Sequence, residues 1–179
     1  AEGTLSGSLD LPVLTGSLSA RALVNDGTPL GSGDIRISGS PESLDLESSW
    51  MLKGNSIRFS GALERDDSTI SGRLSSARLD QKETGVWVLL EPATFVVTPE
   101  LLTVDESLWS NGDARLRLGQ MIRSSESLAT EIELTGAPLQ WLEPYTPEEV
   151  AISGYVDSRL RVQQSDGEWS GRFEWLQRD

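Results

Sequence analysis

Apolar and polar residues take turns along most of this chain, and that period of two decides what it can fold into. Successive side chains of a β-strand point to opposite faces, so alternation puts one chemistry on each side of a sheet. Leu5, Gly7, Leu9 and Leu11 begin the pattern. Leu18, Ala20, Ala22 and Val24 continue it up to the turn signal Asn25-Asp26-Gly27. Ile35 and Ile37 are flanked by Arg36 and Ser38. A long run then sets Leu44, Leu46, Ser48, Trp50 and Leu52 on one face, with Asp45, Glu47, Ser49 and Met51 on the other. Ile57, Phe59, Gly61 and Leu63 follow, then Ile70, Gly72 and Leu74. The phase slips before Ala77 and Leu79, which predicts a β-bulge.

Beyond that point the runs shorten. Val86 to Leu90 is apolar on both parities and reads as a central strand covered on both faces. Phe95 and Val97, then Leu102 and Val104, are separated by Pro99. Ser110-Asn111-Gly112-Asp113 is a hairpin signal leading into Ala114, Leu116 and Leu118. The stretch Leu128 to Val162 interrupts the β pattern with something else. A strand with Leu128, Ile132 and Leu134 enters a Gly136-Ala137-Pro138 turn. A short amphipathic helix then carries Leu139 and Leu142 between Pro138 and Pro144, the second of which stops it. Val150, Ile152, Gly154 and Val156 form one further strand, and Ser158, Leu160 and Val162 another. Asp166-Gly167 turns the chain into Trp169, Gly171, Phe173 and Trp175.

About fourteen short strands at this turn spacing predict an all-β, antiparallel-rich sheet. One face of it is Leu, Ile, Val, Ala, Phe and Trp. At about 25 cal/mol per Å², such a face cannot stand in water. The sheet must close into a barrel, pair with a second sheet, or curl around its own apolar side. Gly7, Gly61, Gly72, Gly154 and Gly171 within strands favour strong bending.

Composition removes most chemistries. The formal charge of -13 repels nucleic acid and anionic membrane surfaces. Arg115/Arg117 and Arg159/Arg161 alternate with apolar residues and read as the solvent face of strands. The chain has no His and no Cys, which removes the usual general base, thiol nucleophiles, zinc-thiolate sites and disulfides. The carboxylate pairs Asp66/Asp67, Asp105/Glu106 and Glu148/Glu149 are neighbours in sequence, so they read as solubilising charge rather than a glycosidase pair. Trp50, Trp169 and Trp175 share the parity of their apolar neighbours and are expected to pack inside. Asp10, Asp26, Asp34 and Asp157 are too scattered for a calcium loop, and Gly31 to Gly33 lacks the Lys of a phosphate loop. No enzyme, metal site or cofactor is expected. The longest apolar run, Val86 to Leu90, is far short of the roughly 20 residues of a membrane-spanning helix. Ala1 opens the chain without an initiator Met or a signal sequence, as in a processed form or an excised piece.

Three segments carry a resemblance: Leu128 to Leu134 (LATEIEL), Ala137 to Leu142 (APLQWL) and Val150 to Leu160 (VAISGYVDSRL), with Gly171 to Trp175 (GRFEW) fitting the same pattern. A strand, a short Pro-Leu helix and Gly-centred return strands are similar to the TamB family, within the AsmA-like superfamily of Gram-negative envelope proteins. The resemblance implies a β-taco, a long sheet curled lengthwise into a half-pipe with a hydrophobic interior. It implies that residues 1–179 form one segment of a longer periplasm-spanning protein anchored in the inner membrane. The implied roles are carriage of phospholipid acyl chains between the two membranes and assembly of outer-membrane β-barrel proteins. The implied partners are phospholipid, unfolded outer-membrane protein strands, and the BamA-type protein TamA.

On that reading the groove is lined by Leu44, Leu46, Trp50, Leu52, Ile57, Phe59, Leu63, Ile70, Leu74, Phe95 and Val97 in the first part of the chain. Leu116, Leu118, Ile132, Leu134, Val150, Ile152, Val156, Leu160, Val162, Phe173 and Trp175 complete it, with Leu139 and Leu142 turned inward as a plug. Residues alone leave two alternatives: a closed β-sandwich, lectin-like, with a filled core, or a structural spacer.

Overall fold

Strands form where the alternation runs, and tight turns form where paired left-handed residues fit. The computed structural model describes residues 2–7, 12–25, 28–147 and 152–178. Six strands come first: β1 (Glu2–Gly7), β2 (Pro12–Asn25), β3 (Thr28–Gly39), β4 (Ser43–Leu52), β5 (Asn55–Asp66) and β6 (Thr69–Gln81). Six short ones follow: β7 (Gly85–Leu89), β8 (Ala93–Val97), β9 (Leu101–Val104), β10 (Ser107–Asn111), β11 (Ala114–Leu118) and β12 (Met121–Ser124). β13 (Ser127–Pro138) runs straight into a 3₁₀ helix, Leu139–Tyr145, and β14 (Tyr155–Ser165) and β15 (Glu168–Arg178) come last. Lys53-Gly54 (φ 51° and 85°) and Asp166-Gly167 (φ 52° and 82°) make the two-residue hairpin turns whose twist matches the flanking strands.

The fifteen strands join in one sheet through antiparallel pairings. β1 to β6 form a plain meander. The sheet then forks. One track runs β6–β7–β10–β11–β13 and the other β6–β8–β9–β12–β13, after which β14 and β15 follow β13. The registers explain the fork. β7 and β8 are two halves of one long strand interrupted at Leu90 to Pro92; β10 and β9 are interrupted at Asp105 and Glu106, and β11 and β12 at Gly119 and Gln120. These gaps lie side by side: Ser107 faces Leu118 on one track while Val104 faces Met121 on the other. On β6 the same line meets Ser75 and Ser76, where the register with β5 shifts between Ser60 and Gly61. The phase slip read from the sequence is therefore a bulge, and it opens a seam that crosses three further strands.

β1 and β15 each pair on one side only among the described residues, so the sheet is not a closed barrel. Nor is it a two-sheet sandwich with a filled core. Among the described residues, buried apolar side chains are few and mostly small: Ala77, Trp87, Leu89, Ala93, Ala114, Ala137 and Leu139, and no large side chain is fully buried. The apolar face is instead half-covered by its own neighbours lying across it. Glycines make this possible. Gly33 faces Trp50 and Gly72 faces Phe95, and a Cβ at either position would overlap the facing ring.

Three local expectations are corrected. Val86 to Leu90 is covered on one face only: Trp87 and Leu89 are buried, Val88 and Leu90 exposed, because the sheet has a single layer. The two strands expected between Val150 and Val162 are one, β14, starting at Tyr155; Ile152 lies outside any strand and Val150 outside the described residues. The change of direction falls at Gly154 (φ 98°), whose carbonyl accepts from Leu139 N–H at 3.0 Å. Finally, the short helix includes Pro144 and ends at Tyr145, one residue beyond the expected stop.

Replacing Gly33 or Gly72 by Val should lower stability by about 1–3 kcal/mol each through overpacking against the ring. Ser38→Val, on the exposed face, should change it little. Thermal unfolding followed by far-UV circular dichroism checks both; equal Tm shifts would show that the rings do not depend on the missing Cβ.

Candidate functional site

The candidate site is the apolar face itself, assembled by register. Residues directly opposite in antiparallel strands share a face. Gly39, Leu44, Leu63, Gly72, Phe95 and Val104 form one row across β3, β4, β5, β6, β8 and β9. Gly33, Trp50, Ile57, Leu79 and Trp87 form another. Leu118, Ile132, Leu160 and Phe173 form a third across β11 to β15, and Leu116, Leu134, Ser158 and Trp175 a fourth. Val162 and Val156 sit on the same side of β14, and Ile70, Val97 and Leu52 continue it at the strand ends.

Most of the residues predicted to line a groove are half-buried there: Leu44, Leu46, Trp50, Ile57, Phe59, Leu63, Leu74, Phe95, Val97, Leu116, Leu118, Ile132, Leu134, Val156, Leu160 and Val162; Ile152 is half-buried outside the strands. Leu52 and Ile70 are more open. Trp169, Phe173 and Trp175 do not pack inside as expected, being 63%, 63% and 64% exposed. Among the described residues β15 has only β14 beside it, and the three rings are covered from that side alone.

The sequence reading missed a small closed centre. Trp87, Leu89, Ala77, Ala114, Ala137 and Leu139 are buried, and the 3₁₀ helix brings Trp141 edge-to-face onto Trp87 at 5.6 Å. Trp109 lies opposite Leu89 and Leu116 and donates from Nε1 to Ser107 Oγ at 3.1 Å. These residues were hidden for definite reasons. The run through Trp87 is apolar on both parities, and Trp109 shares its parity with polar Ser107 and Asn111. Of the two leucines assigned to the plug, Leu139 is buried and Leu142 is 49% exposed; Trp141 makes the inward contact instead.

The reverse face is charged and ordered. Glu133 sits between Arg117 and Arg159, and Glu131 lies opposite Arg161. Arg117 contacts Glu106 at 2.9 Å, Glu131 at 3.2 Å and Glu133 at 3.3 Å. Arg159 contacts Glu133 at 2.9 Å, and its buried Nε lies 3.5 Å from Glu131 without a hydrogen bond. The hydrogen bond from Arg161 holds the Glu131 carboxyl below its usual range, aided by the charges of Arg161, Arg159 and Arg117 against partial burial. The same bond raises Arg161.

Asp157 secures the bulge that launches the helix. Gly136, left-handed at φ 64°, donates its N–H to Asp157 Oδ1 at 2.7 Å, and Arg178 pairs with the same carboxylate. The Gly136 bond, with Arg178 second among the favourable causes, holds Asp157 below the ordinary range.

Hollows on the sheet do not follow the expected polarity. An open hollow of about 830 Å³ lies over β1 to β6, where Thr4, Thr15, Arg36, Asp45, Glu47 and Ser60 line it. This is the polar face. A twisted sheet is a saddle, concave along one diagonal on each side, so the charged face acquires a concavity of its own.

Fold and face together define an open single-layer β-sheet protein, apolar on one side, charged on the other, and capped at one place by a short helix. Among the described residues no cluster of three carboxylates gathers as a metal site would require, and no helix is long and apolar enough to cross a membrane. A family model described as TamB, N-terminal domain, matches residues 2–172. The chain belongs to the TamB family of Gram-negative envelope proteins, a membership consistent with envelope biogenesis. No curated protein and no solved structure matches it.

The lowered carboxyls set a pH dependence. A carboxyl whose folded pKa lies below its unfolded value contributes stability above the unfolded pKa, and that contribution is lost as pH falls through the folded one. Asp157→Asn and Glu131→Gln should therefore unfold at lower urea concentration than the parent at pH 7. Their deficit should shrink as pH falls from about 4 to 2, where the parent loses the same contribution. A deficit independent of pH in urea titrations would show that charge is not what these residues supply.

Proposed function

We propose that this chain is a segment of a periplasmic envelope-biogenesis protein whose apolar sheet face carries phospholipid acyl chains between the inner and outer membranes. One observation supports this above the others: apolar rows run through successive registers from β3 to β9 and again from β11 to β15, and among the described residues no second sheet packs on them. A filled core has no surface left to offer a ligand. A half-covered face does, and each methylene it takes from water contributes about 0.8 kcal/mol. Aliphatic side chains interleaved with Gly, Ala and Ser give a smooth surface without fixed polar anchors, so a chain can slide along it. Catalysis is not part of this reading, and no cofactor enters it.

In the parent protein the segment lies between an inner-membrane anchor and an outer-membrane partner of the BamA type, TamA.

Photocrosslinking residues introduced in cells at Trp50, Phe59, Leu116 and Ile152 should capture lipid; no lipid adduct from any of the four would overturn the acyl-chain reading. Arg substitution separates the faces. Leu46→Arg should impair lipid transfer far more than Asp45→Arg, its exposed neighbour on the same strand. Equal loss on both faces would show that the apolar side is not the path.

A further inference from the structure

We propose that the 3₁₀ helix Leu139–Tyr145 is a reversible plug: the ring of Trp141 occupies the apolar face at Trp87, and an acyl chain entering there displaces it. This rests on the acyl-chain reading above and adds to it a control of access. Trp87 ends the row of Gly33, Trp50, Ile57 and Leu79. Trp141 lies edge-to-face upon it, with ring centroids 5.6 Å apart. The indole and an acyl chain offer Trp87 the same apolar chemistry, so the two compete for one surface. A ligand that binds only where the ring has left shifts the helix toward the lifted state.

The two rings are held very differently. Trp87 is buried, lies opposite Leu79 within the sheet, and donates from Nε1 to Thr84 Oγ1 at 3.4 Å. Trp141 is half-buried, and among the described residues no hydrogen bond holds its indole. Its helix has little else to keep it in place. Seven residues are a long run for 3₁₀ geometry, whose hydrogen bonds are poor. Pro138 at the N-terminal cap supplies no side-chain bond, and Pro144 removes a backbone donor from the interior. Gln140, Leu142, Glu143, Pro144 and Tyr145 are exposed, which leaves Leu139 and Trp141 as the residues that face the sheet.

The pivot, by contrast, is fixed. Gly136 is tied to the Asp157 carboxylate through its N–H at 2.7 Å, and Leu139 N–H is tied to the Gly154 carbonyl at 3.0 Å. Leu139 itself is buried. Beyond it the bonds are local: Thr146 N–H and Oγ1 both donate to the Glu143 carbonyl at 3.1 Å, closing the last turn on itself. Residues 140–145 therefore move as one unit about Leu139. Lifting them gives up the Trp87–Trp141 ring contact and breaks no strand ladder, since the register of β13 with β14 ends at Pro138 and Tyr155. A contact that holds the helix shut and costs one ring pair to open suits a gate, and a packed core does not need one.

The test uses the 179-residue chain, with palmitate below its micelle concentration as the probe. Trp141→Ala removes the plug and should bind palmitate about threefold to tenfold more tightly than the parent, the strength of one edge-to-face ring pair. Leu142→Ala, exposed on the same helix, should leave the affinity within about twofold of the parent. The chain has no Cys, so a nitroxide placed on Leu142→Cys reports the helix alone. Its electron paramagnetic resonance spectrum should move to faster motion as palmitate saturates. The same label on Asp113→Cys, in the exposed turn before β11, should keep its spectrum. Circular dichroism verifies that each variant is folded. Palmitate bound equally by the parent and W141A, or a helix label whose motion is unchanged at saturation, overturns the plug and leaves the acyl-chain reading standing. A parent and a W141A variant that both bind no palmitate overturn that reading, and the plug with it.

Discussion

Away from the one place that the 3₁₀ helix covers, a sheet one layer thick has to keep water from an apolar face with nothing stacked on top. Only cross-strand neighbours are available for the task, so everything rests on register. A slip of one residue would exchange the faces of a strand and set Arg or Glu among the leucines. The reverse face guards against that slip where the apolar rows alone are weakest. Between β11, β13 and β14, Arg117, Glu133 and Arg159 form one line of unlike charge, and Glu131 with Arg161 another. Each exposed pair stabilises little. As a ladder, they make one register much better than its neighbours.

Small residues answer the same constraint. A ring lying flat over a neighbouring strand shields more backbone than one standing up, and it needs a partner without a Cβ. Gly33 under Trp50 and Gly72 under Phe95 are such partners. Buried Ser48 fits among the apolar rows because its hydroxyl donates to the Asp34 carbonyl at 3.2 Å and so remains satisfied. Where the sheet does gain depth, at the 3₁₀ helix, Trp141 meets Trp87 and Leu139 is buried, and Ala77, Ala114 and Ala137 are the small residues buried on the sheet.

Strand phase was readable because it is local: alternation alone placed Leu44 to Leu52, Ile57 to Leu63 and Leu116 to Leu134 on one side. The bulge after Leu74 was readable for the same reason. What escaped depends on distant partners. Val86 to Leu90 carries no phase of its own, and only pairing with Leu79 and Trp109 decides that Trp87 and Leu89 turn inward. The exposure of Trp169 and Trp175 follows from the position of β15 in the sheet, which alternation does not encode. Leu139 and Leu142 look equivalent in sequence, yet the ring of Trp87 takes Trp141 in preference to Leu142.

The seam has a mechanical meaning. Bending a sheet about an axis that crosses its strands works against the stiffness of continuous backbones. Along the line through Leu90 to Pro92, Asp105-Glu106 and Gly119-Gln120, three successive backbones are interrupted, and only β6 and β13 carry through on either side. Leu90 N–H to the Leu108 carbonyl, beside β7 and β10, and Asp105 N–H to the Thr94 carbonyl, beside β9 and β8, both 2.8 Å, each finish the edge of one panel at the seam. The middle of the sheet is therefore a compliant crease between two stiffer plates, and its curvature can change there without breaking a single ladder.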